Sequence, residues 1–181
     1  MILRQPTEAL LAESLKDLAK FKPVDKITVR ELAKHCGLTA QTFYNNFRDK
    51  YELAAWIYNR QFDAAFETFV DTRDFEALIY RCVEILFEDE TFYRNALKNF
   101  VGQNSFRYTT NDHAIKSMAA WLSTRCELTA ELNCCLWFYM RATSETINDW
   151  FLGGHELSAR ELAKLLVEWM PEPLKPLLLH S

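Results

Sequence analysis

Apolar residues recur at three- and four-residue spacing along nearly the whole chain, a pattern that predicts α-helices. The first repeat consists of Leu11, Leu15 and Leu18, with Phe21 alongside and charged residues on the opposite side. It predicts an amphipathic helix over residues 7–20. No sustained segment alternates apolar and polar residues with a period of two, so the predicted fold class is all-α.

Capping residues predict closely spaced helix starts after this first helix. Thr28 with Glu31 and Asp49 with Glu52 have the spacing of capping boxes, and Thr39 is placed to cap a short helix between them. The helix that begins near residue 50 is predicted to run to about residue 70. Two short helices and the start of a long helix are therefore predicted between Thr28 and Glu52.

The two short helices have the composition of a helix-turn-helix. Ala33 is a small residue where the helices approach each other, and Gly37 is a permissive residue at the turn. The predicted buried residues of this unit are apolar: Leu32, Cys36, Leu38, Phe43 and Phe47. In a helix-turn-helix the second helix lies in the major groove of DNA.

The second short helix is predicted to present mainly short polar side chains to solvent. Its outward positions are Thr39, Ala40, Gln41, Thr42, Tyr44 and Asn45. Gln41 can bond adenine, Ala40 can contact a thymine methyl group, and Thr42 and Tyr44 can donate to phosphates. Lys50, at the next helix start, can bind a phosphate with its charge and nearby backbone N–H groups.

Beyond residue 72 the spacing predicts more helices and no repeat. The predicted ranges are 74–88, 90–101, 108–126, 129–152 and 158–170. Aromatic residues are dense between Phe75 and Trp121 and could line an apolar effector pocket or fill a core. The proline-containing tail over 171–176 cannot be helical throughout, and Leu177, Leu178 and Leu179 either dock or fray.

Two apolar stripes on the last long helices could form a four-helix interface between two subunits. One stripe comprises Leu132, Leu136, Tyr139, Thr143, Ile147 and Trp150, and the other Leu162, Leu165, Leu166 and Trp169. The alternative is that both stripes face their own subunit. A homodimer is favoured because one small DNA-binding module contacts few phosphates, whereas two modules can contact two half-sites.

Charge divides the chain into two parts. The net charge is −4, but residues 1–60 hold ten Lys and Arg against seven Asp and Glu, whereas residues 61–181 hold eleven against eighteen. A mildly basic N-terminal part suits contact with phosphates, and an acidic remainder does not.

Other classes of function lack support in the sequence. No motif of a hydrolase, zinc protease, P-loop or dinucleotide-binding enzyme occurs, so we expect no catalytic residues and no cofactor. The five cysteines include no CxxC pair, so no metal site is expected, while adjacent Cys134 and Cys135 would need exposure to act as a redox sensor. No stretch is long enough to span a membrane, and we expect a cytoplasmic protein.

The segment KITVRELAKHCGLTAQTFYNNFRDKYEL resembles the DNA-binding module of TetR-family regulators. The resemblance implies an all-helical homodimer of about nine helices, with a three-helix DNA-binding head at 1–48 and an effector-sensing and dimerising bundle at 49–181, linked by helix 49–70. It also implies that Thr28, Thr39, Thr42, Tyr44, Asn45 and Lys50 contact double-stranded DNA at a palindromic operator. The chain departs from the family pattern at Gln41, where glycine is frequent, and at Asn45 and Asn46, where histidine often occurs.

A second segment, DKYELAAWIYNR, looks like the subgroup related to activators of dihydroxyacetone kinase operons, with Trp56 as the chief shared residue.

The two resemblances together lead to two main functional hypotheses. The leading one is a repressor that a small, apolar effector releases from its operator. The alternative is a regulator or activator whose C-terminal body responds to a kinase-like protein coregulator. A cryptic enzyme or carrier with a similar helix pair is a third, weaker hypothesis.

Overall fold

The structure is a computed structural model and describes residues 6–99, 105–153 and 156–179. Within these ranges the chain forms ten α-helices and no strand, which confirms the predicted all-α fold. The helices are α1 (Thr7–Ala19), α2 (Val29–His35), α3 (Ala40–Tyr44), α4 (Lys50–Thr72), α5 (Phe75–Glu88), α6 (Glu90–Asn99), α7 (Phe106–Ser123), α8 (Ala130–Gly153), α9 (Ala159–Glu168) and α10 (Lys175–Leu178). A 3-10 turn, Val24–Lys26, precedes α2.

The helices fall into two compact units. The first consists of Met1–Tyr58 and Asp89–Thr109, and the second of Asn59–Glu88 and Thr110–Ser181. Helix α4 begins in the first unit and ends in the second. The division of function between 1–48 and 49–181 stays a prediction.

The first unit is built on the apolar side of α1. Leu11 and Leu15 are buried there, as the helical spacing predicts, whereas Leu18 is half-buried and Ala19 is buried beside them. The expectation for Phe21 was wrong, because its side chain is 88% exposed. Helix α1 ends at Ala19, so the helical period no longer sets the direction of Phe21.

Asn95 of α6 joins the connection between α1 and α2 to the rest of the first unit. Its side-chain Nδ2 donates to the carbonyls of Ala19 at 3.0 Å and Lys22 at 2.9 Å. Its Oδ1 accepts from the backbone N–H of Val24 at 2.9 Å. This one amide therefore satisfies three backbone groups at the end of α1 and in the connection that follows it.

In the second unit, α5 packs on α8 and α9. Most of the α8 stripe that could have faced another subunit is buried in this unit: Leu136, Tyr139, Thr143, Ile147 and Trp150. Leu162 and Leu166 of α9 are buried as well. These residues therefore pack within their own subunit, which was the alternative interpretation.

The aromatic residues between Phe75 and Trp121 are divided between the two units. Phe92, Tyr93 and Phe106 are buried in the first unit, and Phe75 and Trp121 are buried in the second. Phe100 lies outside the described residues. The aromatic density therefore serves two cores.

The C-terminal tail contains one short helix, α10, and its Leu178 is fully buried. The predicted docking of the tail thus involves this leucine. No helix in the described part of the chain is both long and apolar enough to cross a membrane.

Candidate nucleic-acid interface

The turn between α2 and α3 depends on the backbone of Gly37. Gly37 has a φ of +73°, in the left-handed region where glycine is favoured. The backbone N–H of Leu38 then donates to the carbonyl of Ala33 at 2.8 Å and closes the end of α2. Leu32 of α2 and Phe43 of α3 are fully buried, and the two helices pack against each other. The predicted helix-turn-helix is present, and its second helix, α3, ends at Tyr44.

Thr28 caps the start of α2 and remains exposed. Its Oγ1 accepts from the backbone N–H of Glu31 at 3.2 Å. The Glu31 carboxylate does not complete the capping box, because it accepts from Lys22 Nζ at 2.6 Å. That ammonium group lowers the pKa of the Glu31 carboxyl. The start of α2 is thus fixed by a side-chain cap and an ion pair.

Helix α3 carries a network of short polar side chains. Thr39 caps the helix by accepting from the N–H of Thr42 at 3.1 Å, and the two hydroxyl oxygens are 2.9 Å apart. Gln41 Nε2 donates to Asn45 Oδ1 at 2.9 Å along the outer face. These bonds hold the side chains in defined rotamers before any partner binds.

Tyr44 is the large exposed group on this helix. Its side chain is 56% exposed, and its ring stands edge-on to the buried Phe43, with centroids 5.5 Å apart. Gln41 and Asn45 are also exposed, whereas Ala40 and Thr42 are half-buried. The structure therefore brings six of the eight predicted contact residues, 39–42 with 44 and 45, onto α3 or its cap.

Lys50 begins α4 and contacts the chain that leads into α2. Its Nζ donates to the carbonyls of Asp25 at 2.6 Å and Ile27 at 2.7 Å. Partial burial lowers the pKa of the Lys50 ammonium group, although Asp25 opposes this effect. Two of its three N–H donors are thus used within the protein, and a phosphate contact, which stays a prediction, would use the third.

Two cations on α2 were missed by the sequence reasoning. Arg30 and Lys34 are exposed, and neither makes an ion pair with another described residue. Their four-residue spacing places them on the same side of α2, opposite buried Leu32. That spacing was visible in the sequence and could have marked them as candidate phosphate contacts.

This segment matches a known family. Residues 16–56 match the model of bacterial regulatory proteins of the tetR family. A curated relative from Lactococcus lactis, described as an HTH-type dhaKLM operon transcriptional activator, DhaS, is 26% identical over 102 residues. The match covers 56% of this chain and 53% of that relative, so it spans about half of the relative's length.

The helix-turn-helix segment of the chain thus matches the TetR family.

Solved structures support a TetR-like fold over most of the chain. A dihydroxyacetone kinase operon activator DhaS superposes with a TM-score of 0.61 at 18% identity, covering 94% of this chain and 97% of the other. A tetR-family transcriptional regulator from Streptomyces coelicolor gives a TM-score of 0.54 at 18% identity, covering 89% and 79%. Both resemblances establish a TetR-like fold.

Proposed function

We propose that this protein is a TetR-type transcription regulator that binds duplex DNA through α3. The observation that carries the proposal is the exposed polar face formed by Gln41, Tyr44 and Asn45 on a helix-turn-helix. Side-chain amides are suited to adenine edges in the major groove, and a tyrosine hydroxyl can donate to a phosphate. The named relatives are regulators, and at the level of the family this fits a protein that is not an enzyme.

Phosphate contacts would come from the surrounding groups. Thr28 and Thr39 are exposed at the starts of α2 and α3, where backbone N–H groups point outward. Arg30 and Lys34 add two exposed cations on α2. These contacts would position α3, and the side chains of α3 would provide the sequence preference.

We further propose a homodimer on a palindromic operator in the cytoplasm. Trp137 and Phe138 of α8 are 49% and 64% exposed, which is unusual for large apolar side chains next to each other on one helix. Burying them against a second copy would remove apolar surface from water, and two α3 helices would then contact two half-sites. This surface replaces the α8 stripe that the structure buries within the subunit.

Two modes of regulation have support. In the first, a small effector binds the second unit and releases a repressor. Asn111 supports it, because this side chain is only 1% exposed and neither its Nδ2 nor its Oδ1 has a hydrogen-bond partner in the described chain. Buried amides without partners are costly, and a ligand with a donor and an acceptor would satisfy both atoms.

The second mode is activation through a protein coregulator. It is supported by the names of the relatives, one curated and one of known structure, that are described as operon activators. Reporter transcription from the chain's upstream DNA distinguishes the modes. Deleting the gene raises transcription if the protein is a repressor and lowers it if it is an activator.

A binding assay tests the DNA interface. Fluorescence anisotropy with labelled DNA from upstream of the gene is compared for the wild type, Asn45→Ala and Tyr44→Ala. We expect each variant to weaken specific binding by about 5- to 100-fold without a change in melting temperature. The matched control is Asn133→Ala, which truncates an exposed asparagine on α8. Unchanged affinity in both α3 variants would contradict the proposed interface.

A further inference from the structure

Two arginine side chains of the second unit converge on one tryptophan. The guanidinium carbon of Arg73 lies 4.3 Å from the ring centroid of Trp121, and that of Arg125 lies 4.4 Å from it. Arg73 directly follows α4, and Arg125 closely follows α7, which contains Trp121. Two separate helix ends therefore bring positive charge to the same indole.

The positive charge of this cluster is not balanced within the described part of the chain. Neither Arg73 nor Arg125 has a carboxylate within ion-pair distance among those residues, whereas Arg81 and Arg94 each pair with a glutamate. Burial lowers the pKa of Arg73, and the charge of Arg125 lowers it further. Two like charges without a counter-charge favour the binding of an anion.

The cluster also has more hydrogen-bond donors than acceptors. One Arg73 N–H group donates to the carbonyl of Leu177 at 2.7 Å, and one from Arg125 donates to Thr124 Oγ1 at 3.1 Å. The indole Nε1 of Trp121, a residue 8% exposed, is buried and has no acceptor among the described residues. A guanidinium group that stacks on an aromatic ring keeps its edge free, and each arginine has five N–H donors.

The backbone at Arg73 adds an independent observation. Its φ is +61°, a left-handed conformation that is uncommon for residues with a side chain. The backbone N–H of Arg73 closes α4 by donating to the carbonyl of Phe69 at 2.7 Å, and glycine would serve this purpose with less strain. An arginine here contributes its side chain, and strained residues of this kind cluster at ligand sites.

We infer that Arg73 and Arg125, supported by Trp121, form a binding site for a small oxyanion, meaning a carboxylate or phosphate group of a free metabolite. Guanidinium edges match the two oxygens of either group. The inference does not rest on the proposed DNA interface, since it involves no residue of α2 or α3.

Isothermal titration calorimetry with the full chain tests this site. Sodium phosphate and sodium succinate are titrated separately at constant ionic strength, which distinguishes the two sources of oxyanion. We expect saturable binding of at least one, weakened about tenfold or more in Arg125→Gln and in Arg73→Gly. Arg73→Gly retains a residue suited to the left-handed backbone, so the end of α4 is preserved.

The matched control is Arg141→Gln, which removes an arginine that lies over another indole, that of Trp137, at 5.3 Å. Its anion affinity should equal that of the wild type, and all these variants should still bind DNA. The inference is overturned if neither anion binds saturably, if Arg73→Gly and Arg125→Gln bind as the wild type does, or if the control loses binding equally.

Discussion

The backbone N–H of Val24 donates to Oδ1 of Asn95 across 71 positions of the sequence, at 2.9 Å. The same side chain donates to the carbonyls of Ala19 and Lys22. Together the three hydrogen bonds connect α6 to the segment that leads into the helix-turn-helix. The N-terminal module is therefore stabilised by a residue far outside residues 16–56, the part that matches the family model.

Asn95→Ala should lower the free energy of unfolding by about 2 kcal/mol, because it leaves a backbone N–H and two carbonyls without their partner. Urea unfolding monitored by circular dichroism measures the change. The exposed Asn133→Ala on α8 serves as the control and should change stability by less than about 0.5 kcal/mol. Equal effects of the two substitutions would show that the Asn95 amide does not stabilise this unit.

Lys50→Met should lower both stability and DNA affinity. Methionine keeps most of the aliphatic stem but cannot donate to the carbonyls of Asp25 and Ile27, which costs about 1–2 kcal/mol. Thermal unfolding and anisotropy measure the two effects. Arg30→Gln is the comparison. Removing this exposed cation should reduce the salt dependence of DNA binding and leave the melting temperature unchanged. A Lys50→Met protein as stable as the wild type would refute a structural role for the ammonium group.

Ionisation of the buried Tyr139 hydroxyl should lower the free energy of unfolding at alkaline pH. Its hydroxyl donates to the carbonyl of Leu166 at 2.7 Å, and burial raises the pKa of this tyrosine. Because the pKa is higher in the folded state than in the unfolded state, its contribution is complete below the unfolded value of about 10 and is lost as the pH rises above it.

Denaturant unfolding between pH 8 and pH 11 tests this expectation. Tyr139→Phe should cost about 1 kcal/mol at neutral pH and should show a smaller decline toward pH 11 than the wild type. If the free energy of unfolding declines equally in the two proteins, groups other than Tyr139 cause the loss of stability at alkaline pH.

Replacing the exposed aromatics of α8 should weaken the proposed homodimer. Trp137→Ser with Phe138→Ser removes apolar surface that a second copy would bury, so we expect the dissociation constant to rise by at least tenfold. Analytical ultracentrifugation measures it. Phe21→Ser, which alters an exposed phenylalanine of the first unit, should leave the assembly state unchanged. A dimer of unchanged strength in the double variant would place the interface elsewhere.

Much of the fold was predictable because local rules determine it. Helical spacing identified α1, and the capping residues Thr28 and Thr39 marked the starts of α2 and α3, where the structure shows both side-chain caps. Gly37 marked the turn because its left-handed backbone favours a residue without a side chain. Each of these features depends on residues within a few positions of one another.

The surface against which an apolar stripe packs in the folded protein was not predictable from local rules. A stripe such as Leu136, Tyr139 and Ile147 has the same period whether it faces its own subunit or another. The packing of α5 on α8 and α9, with the hydrogen bond from Tyr139 to α9, decides between the two. Phe21 shared the apolar character of the α1 core but lies beyond the end of that helix.

Local spacing and backbone preference thus specify the helices, the helix-turn-helix and the polar character of α3, so these features could be inferred from the amino-acid order. Three contacts emerge only from the folded arrangement: Lys50 binds two carbonyls, Asn95 bonds the connection before α2, and Arg73 and Arg125 both stack on Trp121. These contacts join residues distant in sequence, and no local pattern specifies which distant groups come within hydrogen-bond or stacking distance.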